Sequence, residues 1–447
     1  MKNKRYYFIG IGGIGMSSIA RFLLQKGAEV AGYDKTSTPL TEALENAGVQ
    51  ITYDASVETI PQGFETKETS VIFTPAVPAT HPQKHYFETQ GNIVQKRAVF
   101  LGEITRNIPT LAVAGTHGKT TTTAILAHLF SATKQLFTGF VGGLVQGKNS
   151  NLISSGMDTI LVEADEFDRS FLQLHPSLAC ITSIDPDHLD IYGTKTEVET
   201  AYRQFFDQIQ SVGIVEKNIP FPGITYSIQE QADYFISNLT PEGFGYRFDL
   251  HTPKNTFNAV YFSQLGLHNL SNALAAFALA SQHGLEEKDL ADALSSFQGV
   301  ERRLQLLLDT PKHLLIDDYA HHPTEIMAVY ETLENAYPDE KKCVVFQPHL
   351  YSRTQDFMTA FASSLSCFDQ VFILPIYPAR ELPIAGVSST ALAEKIAVNK
   401  EVRLLQKEEI YEVLKESPVR IKVLLGAGDI GLEVADLQQK LLQNENV

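Results

Sequence analysis

Two glycine clusters, each set between an apolar strand and a helix, are the segments of this 447-residue chain best suited to chemistry. The first is Gly10-Ile-Gly12-Gly13-Ile-Gly15. Missing side chains let the backbone close on a pyrophosphate, and the following helix offers that anion free N–H groups and a positive dipole end. Asp34 ends the next strand, where a carboxylate can accept a hydrogen bond from a ribose hydroxyl. Alone, this pattern reads as an NAD-dependent oxidoreductase, with a tight, closely packed strand–helix turn as the bland alternative.

The second cluster changes that reading. In Gly115-Thr116-His117-Gly118-Lys119-Thr120-Thr121 the backbone amides can wrap a nucleotide phosphate. Lys119 can neutralise the β/γ oxygens, and the Thr120 hydroxyl can bind Mg²⁺. The loop is a shortened form, since position 113 is Val where the usual spacing has Gly. Such a loop needs a metal carboxylate at a neighbouring strand end, and Glu163, after the apolar run Ile160–Val162, is best placed. The run 183–190 adds His188 among three aspartates, as a second metal or phosphoryl contact. The bland readings are an acidic strand end in solvent and a structural histidine. An oxidoreductase has no use for a phosphate loop with Mg²⁺ ligands. An ATP-driven enzyme whose other substrate is a nucleotide diphosphate uses both clusters.

These motifs need parallel sheets to carry them. Strands are expected at Tyr6–Ile11, Glu29–Asp34 and Ser70–Phe73, with helices at Ile14–Lys26 and Thr38–Ala47. Further strands are expected at Thr110–Ala114, Asp158–Val162 and Leu178–Ser183, and helices at Thr120–Phe130 and Asn269–His283, the latter closed by Gly284. Beyond Pro311 the strands are His313–Ile316, Lys342–Gln347, Gln370–Pro375 and Val419–Leu425. The rhythm predicts an α/β protein of three domains: an N-terminal Rossmann-like domain (1–108), a central P-loop ATPase-like domain with a parallel sheet (109–310) and a C-terminal Rossmann-like α/β domain (311–447). The stretch Pro220–Tyr246 mixes Pro, Gly and aromatics with no steady period.

Composition sets the bounds. Lys and Arg number 36 against 52 Asp and Glu, a net charge of −16, so the basic footprint of a nucleic-acid binder is absent. Cys180, Cys343 and Cys367 show no CxxC spacing and read as reduced thiols. The basic start Met1–Arg5 before an apolar run has the look of a signal peptide, but its glycines argue for a strand and turn. The expectation is a cytoplasmic protein with no membrane insertion, as a monomer or homodimer.

The chain resembles the Mur ligases over nearly its whole length. The resemblance rests on FIGIGGIGMS (Phe8–Ser17), AVAGTHGKTTTT (Ala112–Thr123), VEADEFDRSF (Val162–Phe171), DPDHLDIYG (Asp185–Gly193), GLHNLSNALAA (Gly266–Ala276), GVERR (Gly299–Arg303), DDYAHHPTEI (Asp317–Ile326) and FQPHLYSRT (Phe346–Thr354). It implies an ATP- and Mg²⁺-dependent ligase that joins L-alanine to the carboxylate of UDP-N-acetylmuramate through an acyl phosphate. That reaction belongs to peptidoglycan precursor synthesis, and so to cell-wall biogenesis, cell shape and division. The implied sugar-nucleotide contacts are Gly10, Gly12, Gly13, Gly15 and Asp34. ATP would meet Gly115–Thr121, His268, Asn269, Asn272, Arg303 and Asp318; the amino acid would meet Tyr319, His321 and Arg353. Thr120, Glu163 and His188 are the implied metal ligands, and Lys119, His188, Arg303 and His321 the implied catalytic groups. A sibling activity, attaching a whole peptide to the same sugar acid as murein-peptide recycling ligases do, is the second reading.

Three departures stand out. Leu350 replaces an arginine common in relatives, which leaves carboxylate recognition to Arg353. Phe167 and Arg169 stand where smaller residues are usual. Some family members carry a carbamoylated lysine after the DHxD motif; here Tyr202-Arg203-Gln204 occupy that region, so no such modification is expected.

Overall fold

The computed structural model describes residues 2–148, 150–185, 192, 194–379, 381–397 and 400–445. Three sheets organise the chain. The first is fully parallel, in the order Gln50–Thr52, Glu29–Tyr33, Arg5–Ile9, Ser70–Phe73, Val94–Lys96. The chain grows outward from Arg5–Ile9 in one direction, then restarts on its other side at Ser70–Phe73. A crevice therefore opens at the carboxyl ends of these two strands, the usual ligand position in such sheets. The helix Ile14–Gln25 starts there.

The second sheet has ten strands. Its parallel centre runs Val212–Glu216, Leu178–Ile181, Thr110–Ala114, Thr159–Glu163, Phe137–Val145. All residues of Thr110–Ala114 and Leu178–Ile181 are buried, as expected of strands covered on both faces. The sheet is not parallel throughout. Ser150–Ser154 pairs antiparallel at one edge, and Tyr234–Glu242, Gly245–His251 and Thr256–Phe262 form an antiparallel meander at the other. The meander begins inside the stretch that lacked a period. Its register slips between Ser237 and Thr240, and again opposite Phe248 and Leu250, so the extra residues fall in the two flanking strands, while Gly245–His251 keeps its alternation.

The third sheet runs Gln305–Asp309, Leu314–Asp318, Ile421–Leu425, Lys342–Phe346, Gln370–Ile373, Glu401–Leu404, with only the first strand antiparallel.

The chain divides into two compact units: Met1–Ser263 with His268–Gln298, and Gln264–Leu267 with Gly299–Val447. The first unit holds two sheets because the helix Ile14–Gln25 packs on the hairpin Phe137–Ser154. Phe22 meets Phe140 edge-on at 5.5 Å, and the buried Asn151 amide donates to Ile14 O and to Ser17 Oγ (2.9 Å). No helix among the described residues is long and apolar enough to cross a membrane.

Candidate functional site

The glycine turn follows Ile9 directly. The amides of Gly10 and Ile11 donate to Tyr33 O at 2.8 and 3.0 Å. Asp34 braces the turn from below: its Oδ2 accepts the Gly12 N–H and its Oδ1 the Lys35 N–H, both at 2.7 Å. The carboxylate assigned to ligand in the sequence thus also builds the turn. Gly13 caps the helix Ile14–Gln25 without a side-chain hydrogen bond, which leaves the first helical amides for an anion.

The second loop is wrapped by neighbouring segments. Thr182 Oγ1 donates to Ala114 O (3.2 Å) and His117 O (2.5 Å), Ser183 Oγ accepts the His117 N–H (2.9 Å), and Thr116 Oγ1 and the Asp185 backbone exchange hydrogen bonds at 2.9 and 3.1 Å. Gly118 has φ +82°, and a Cβ there would lie 2.3 Å from Oδ1 of Asn272. Only glycine lets the loop and the helix Leu267–Gln282 come this close. Asn269 and Asn272 are buried on that helix, and His268 is exposed.

Lys119 opens the helix Lys119–Ala132 and turns its ammonium back into the loop. Nζ donates to Gly115 O (2.7 Å), Thr116 O (3.3 Å) and Glu166 Oε1 (3.0 Å), with Glu166 Oε2 at 2.8 Å. Glu166 is buried, and Tyr192 Oη donates to its carbonyl at 2.6 Å. Thr120 Oγ1 donates to both oxygens of Glu163 at 3.0 and 3.1 Å, and the Gly142 N–H reaches Glu163 Oε2 at 2.9 Å. Burial pushes both glutamates up from the usual carboxylate range, and the Lys119 charge pulls them back.

The hydroxyl and carboxylate of Thr120 and Glu163 form a hard-oxygen pair at the end of the phosphate loop. Mg²⁺ is commonly held by one or two carboxylates together with phosphate oxygens, so this pair fits that ion. His188 lies outside the described residues.

A cleft of about 390 Å³ runs from the glycine turn to Glu163 within this unit. Gly13–Gly15, Thr74–Ala76 and Arg97 line it from the first sheet, and Gly142, Glu163 and Asp165 from the second. Arg97 was not singled out in the sequence, and Glu166 stood there only within the acidic run that follows Val162. Neither belongs to a glycine motif, and their roles come from contacts between distant segments.

The second unit gathers the remaining expected residues around the carboxyl end of its sheet. Arg302 and Arg303 share an aromatic neighbour, but an ion pair is found for Arg302. The Arg302 guanidinium pairs with the buried Asp317 (3.3 Å) and reaches the carbonyls of Gly426 and Gly428. Both arginines sit over the Tyr319 ring, at 5.1 and 5.7 Å. Asp318 accepts the Leu304 and Ala320 N–H groups, each at 2.7 Å.

His321 Nδ1 lies 3.0 Å from Tyr319 O. A carbonyl only accepts, so Nδ1 carries the hydrogen and Nε2 keeps its lone pair. Burial, reinforced by the charges of Arg353 and Arg303, lowers the His321 pKa, although Glu325 opposes this. His349, not singled out in the sequence, stacks on Tyr377 and lies 3.3 Å from Arg353 Nη1; burial and that arginine lower it to about 4. Leu350 stands at φ +70° and its N–H donates to Tyr377 O at 2.9 Å, so the position that lacks an arginine shapes the turn leading to Arg353.

Comparison with known proteins covers the same ground. Residues 5–108 match the model described as Mur ligase family, catalytic domain; residues 113–280 match the Mur ligase middle domain; residues 302–432 match the Mur ligase, glutamate ligase domain. The UDP-N-acetylmuramate–L-alanine ligase of Christiangramia forsetii is 48% identical over 443 residues, covering 98% of each chain. The crystal structure of the UDP-N-acetylmuramate-alanine ligase of Thermotoga maritima superposes with a TM-score of 0.83 over 99% of both chains at 24% identity. The murein peptide ligase of Psychrobacter arcticus gives 0.66 at 22% identity, over 98% of this chain and 99% of its own.

Proposed function

Because this chain belongs to the Mur ligase family, we propose that it joins L-alanine to the carboxylate of UDP-N-acetylmuramate in an ATP-dependent reaction of peptidoglycan precursor synthesis. The observation that carries this reading is the 48% identity to a UDP-N-acetylmuramate–L-alanine ligase across the whole chain. The first unit agrees with it: a glycine turn suited to a sugar nucleotide opens on a cleft that ends at Glu163, the carboxylate bonded to Thr120 of the phosphate loop.

A carboxylate is a poor electrophile, and transfer of a phosphoryl group to it creates a good leaving group. The amine then attacks, and collapse of the tetrahedral intermediate releases phosphate. Such transfer depends on positioning and charge neutralisation. Lys119 supplies one positive charge, and the loop amides of Gly115–Thr121 hold the phosphates. Arg303 is assigned to the phosphates as well, since Arg302 is committed to Asp317 and the Gly426 carbonyl. Asn269, Asn272, His268 and Asp318 are assigned to the nucleoside end. Thr120, Glu163 and His188 would hold Mg²⁺, which neutralises phosphate charge when bound. Tyr319 and Arg353 receive the amino acid, and the free Nε2 lone pair of His321 takes the proton from its ammonium.

The test is phosphate release with UDP-N-acetylmuramate and ATP against a panel of amino acids and the murein tripeptide. L-Alanine should support the fastest turnover. Preference for the tripeptide would replace this reading with the recycling activity. NADH binding without phosphate release would restore the oxidoreductase.

A further inference from the structure

We propose that Arg97 binds the diphosphate of the sugar nucleotide, adding to the glycine turn the positive charge that the turn itself lacks. The proposal rests on the ligase reading above and names a residue of its sugar-nucleotide site. Strand register brings the parts together. Ile9 pairs with Phe73, and Phe73 with Lys96, so the next residues, Gly10, Thr74 and Arg97, leave the sheet side by side at its carboxyl edge.

From there the Arg97 side chain crosses to the start of the helix Ile14–Gln25. A Cβ on Gly15 would lie 2.3 Å from Arg97 Nη1. The absent side chain at position 15 is therefore what makes room for the guanidinium against the helical amides. Among the described residues the Arg97 side chain makes no hydrogen bond and one long ion pair, Nη2 to Asp165 Oδ2 at 3.6 Å, with 23% of the side chain exposed. Its neighbour Lys96 differs: Nζ is in direct contact with Asp168 Oδ2 at 2.7 Å. Arg97 lines the cleft together with Gly13 and Gly15. A guanidinium with its donors uncommitted, beside converging backbone N–H groups, suits a diphosphate, which accepts from a planar fork and from amides at once.

The test compares UDP-N-acetylmuramate with UDP-N-acetylglucosamine, which has the diphosphate and no lactyl carboxylate. Titration calorimetry on the full chain gives a dissociation constant for each, and for ADP. Arg97→Ala should weaken both sugar nucleotides by the same factor, about 10–100-fold for one charge-assisted contact. ADP affinity should stay within about twofold, which also reports an intact fold. Arg97→Lys keeps charge without the fork and should lie between, so it serves if the alanine variant folds poorly. Asp165→Asn removes the partner and keeps the guanidinium, so binding should hold or tighten. Unchanged affinity for both sugar nucleotides in the Arg97 variants would overturn the proposal. A loss confined to UDP-N-acetylmuramate would also overturn it, by moving Arg97 to the carboxylate. If wild-type protein binds both sugar nucleotides and releases no phosphate with any amino acid, the ligase reading fails while the Arg97 assignment is still decided by the affinities.

Discussion

The ammonium of Lys119 lies 2.8 Å from Oε2 of Glu166, a carboxylate that is 3% exposed and 47 residues further along the chain. The lysine of the phosphate loop is thus aimed by a buried counter-charge as well as by its own loop carbonyls. Lys119→Ala removes the charge assigned above to the nucleotide and strands Glu166. Phosphate release should fall by at least about 100-fold, as when a key electrostatic donor is lost. UDP-sugar affinity, read by calorimetry, should hold, because the glycine turn is separate. Activity near wild type would remove Lys119 from the mechanism.

Glu163 and Thr120 make a different claim, on metal. Chelation with EDTA should stop phosphate release, and added Mg²⁺ should restore it. Glu163→Gln keeps the shape and removes the charge, so half-maximal activity should need about 10-fold more Mg²⁺ or beyond, in line with losses on removing metal-site groups. A Mg²⁺ titration superimposable on wild type would show that Glu163 only braces Gly142 and Thr120.

Asp317 should couple pH to stability. Burial raises its pKa from 3.8 to about 7, and Arg302 opposes that rise only in part. A carboxyl raised on folding binds more protons in the folded state, so its contribution is fully present below pH about 4. It is lost as pH climbs to about 7, with a slope of up to ~1.4 kcal/mol per pH unit for one proton. Urea unfolding of the full chain at several pH values should show the C-terminal transition moving to lower urea across this window. Asp317→Asn should flatten it, and an equal slope in both proteins would rule Asp317 out as the source.

Arg353 is the residue assigned above to the amino acid. Its guanidinium sits beside a histidine held at about 4, so His349 stays neutral near pH 7 and does not compete for a carboxylate. Arg353→Ala should raise the L-alanine KM by about 10-fold or more, the cost of one charged contact, with the ATP KM within about twofold. An unchanged L-alanine KM would place the amino-acid pocket elsewhere.

Local sequence carried much of this. Glycine turns, phosphate loops and strand ends are backbone geometries fixed over a few residues, so Gly10–Gly15, Gly115–Thr121 and Glu163 were legible from residue type and spacing, and so was the parallel-sheet rhythm around them. Tertiary structure decided the pairings. Which acid meets Lys119, which arginine is committed to Asp317, that Arg97 lies against Gly15 and that His349 stacks on Tyr377 all depend on segments far apart in sequence, brought together by strand register and burial. The meander Tyr234–Phe262 was hidden for a related reason: bulges interrupt its first and last strands, and only pairing with the regular strand Gly245–His251 defines them.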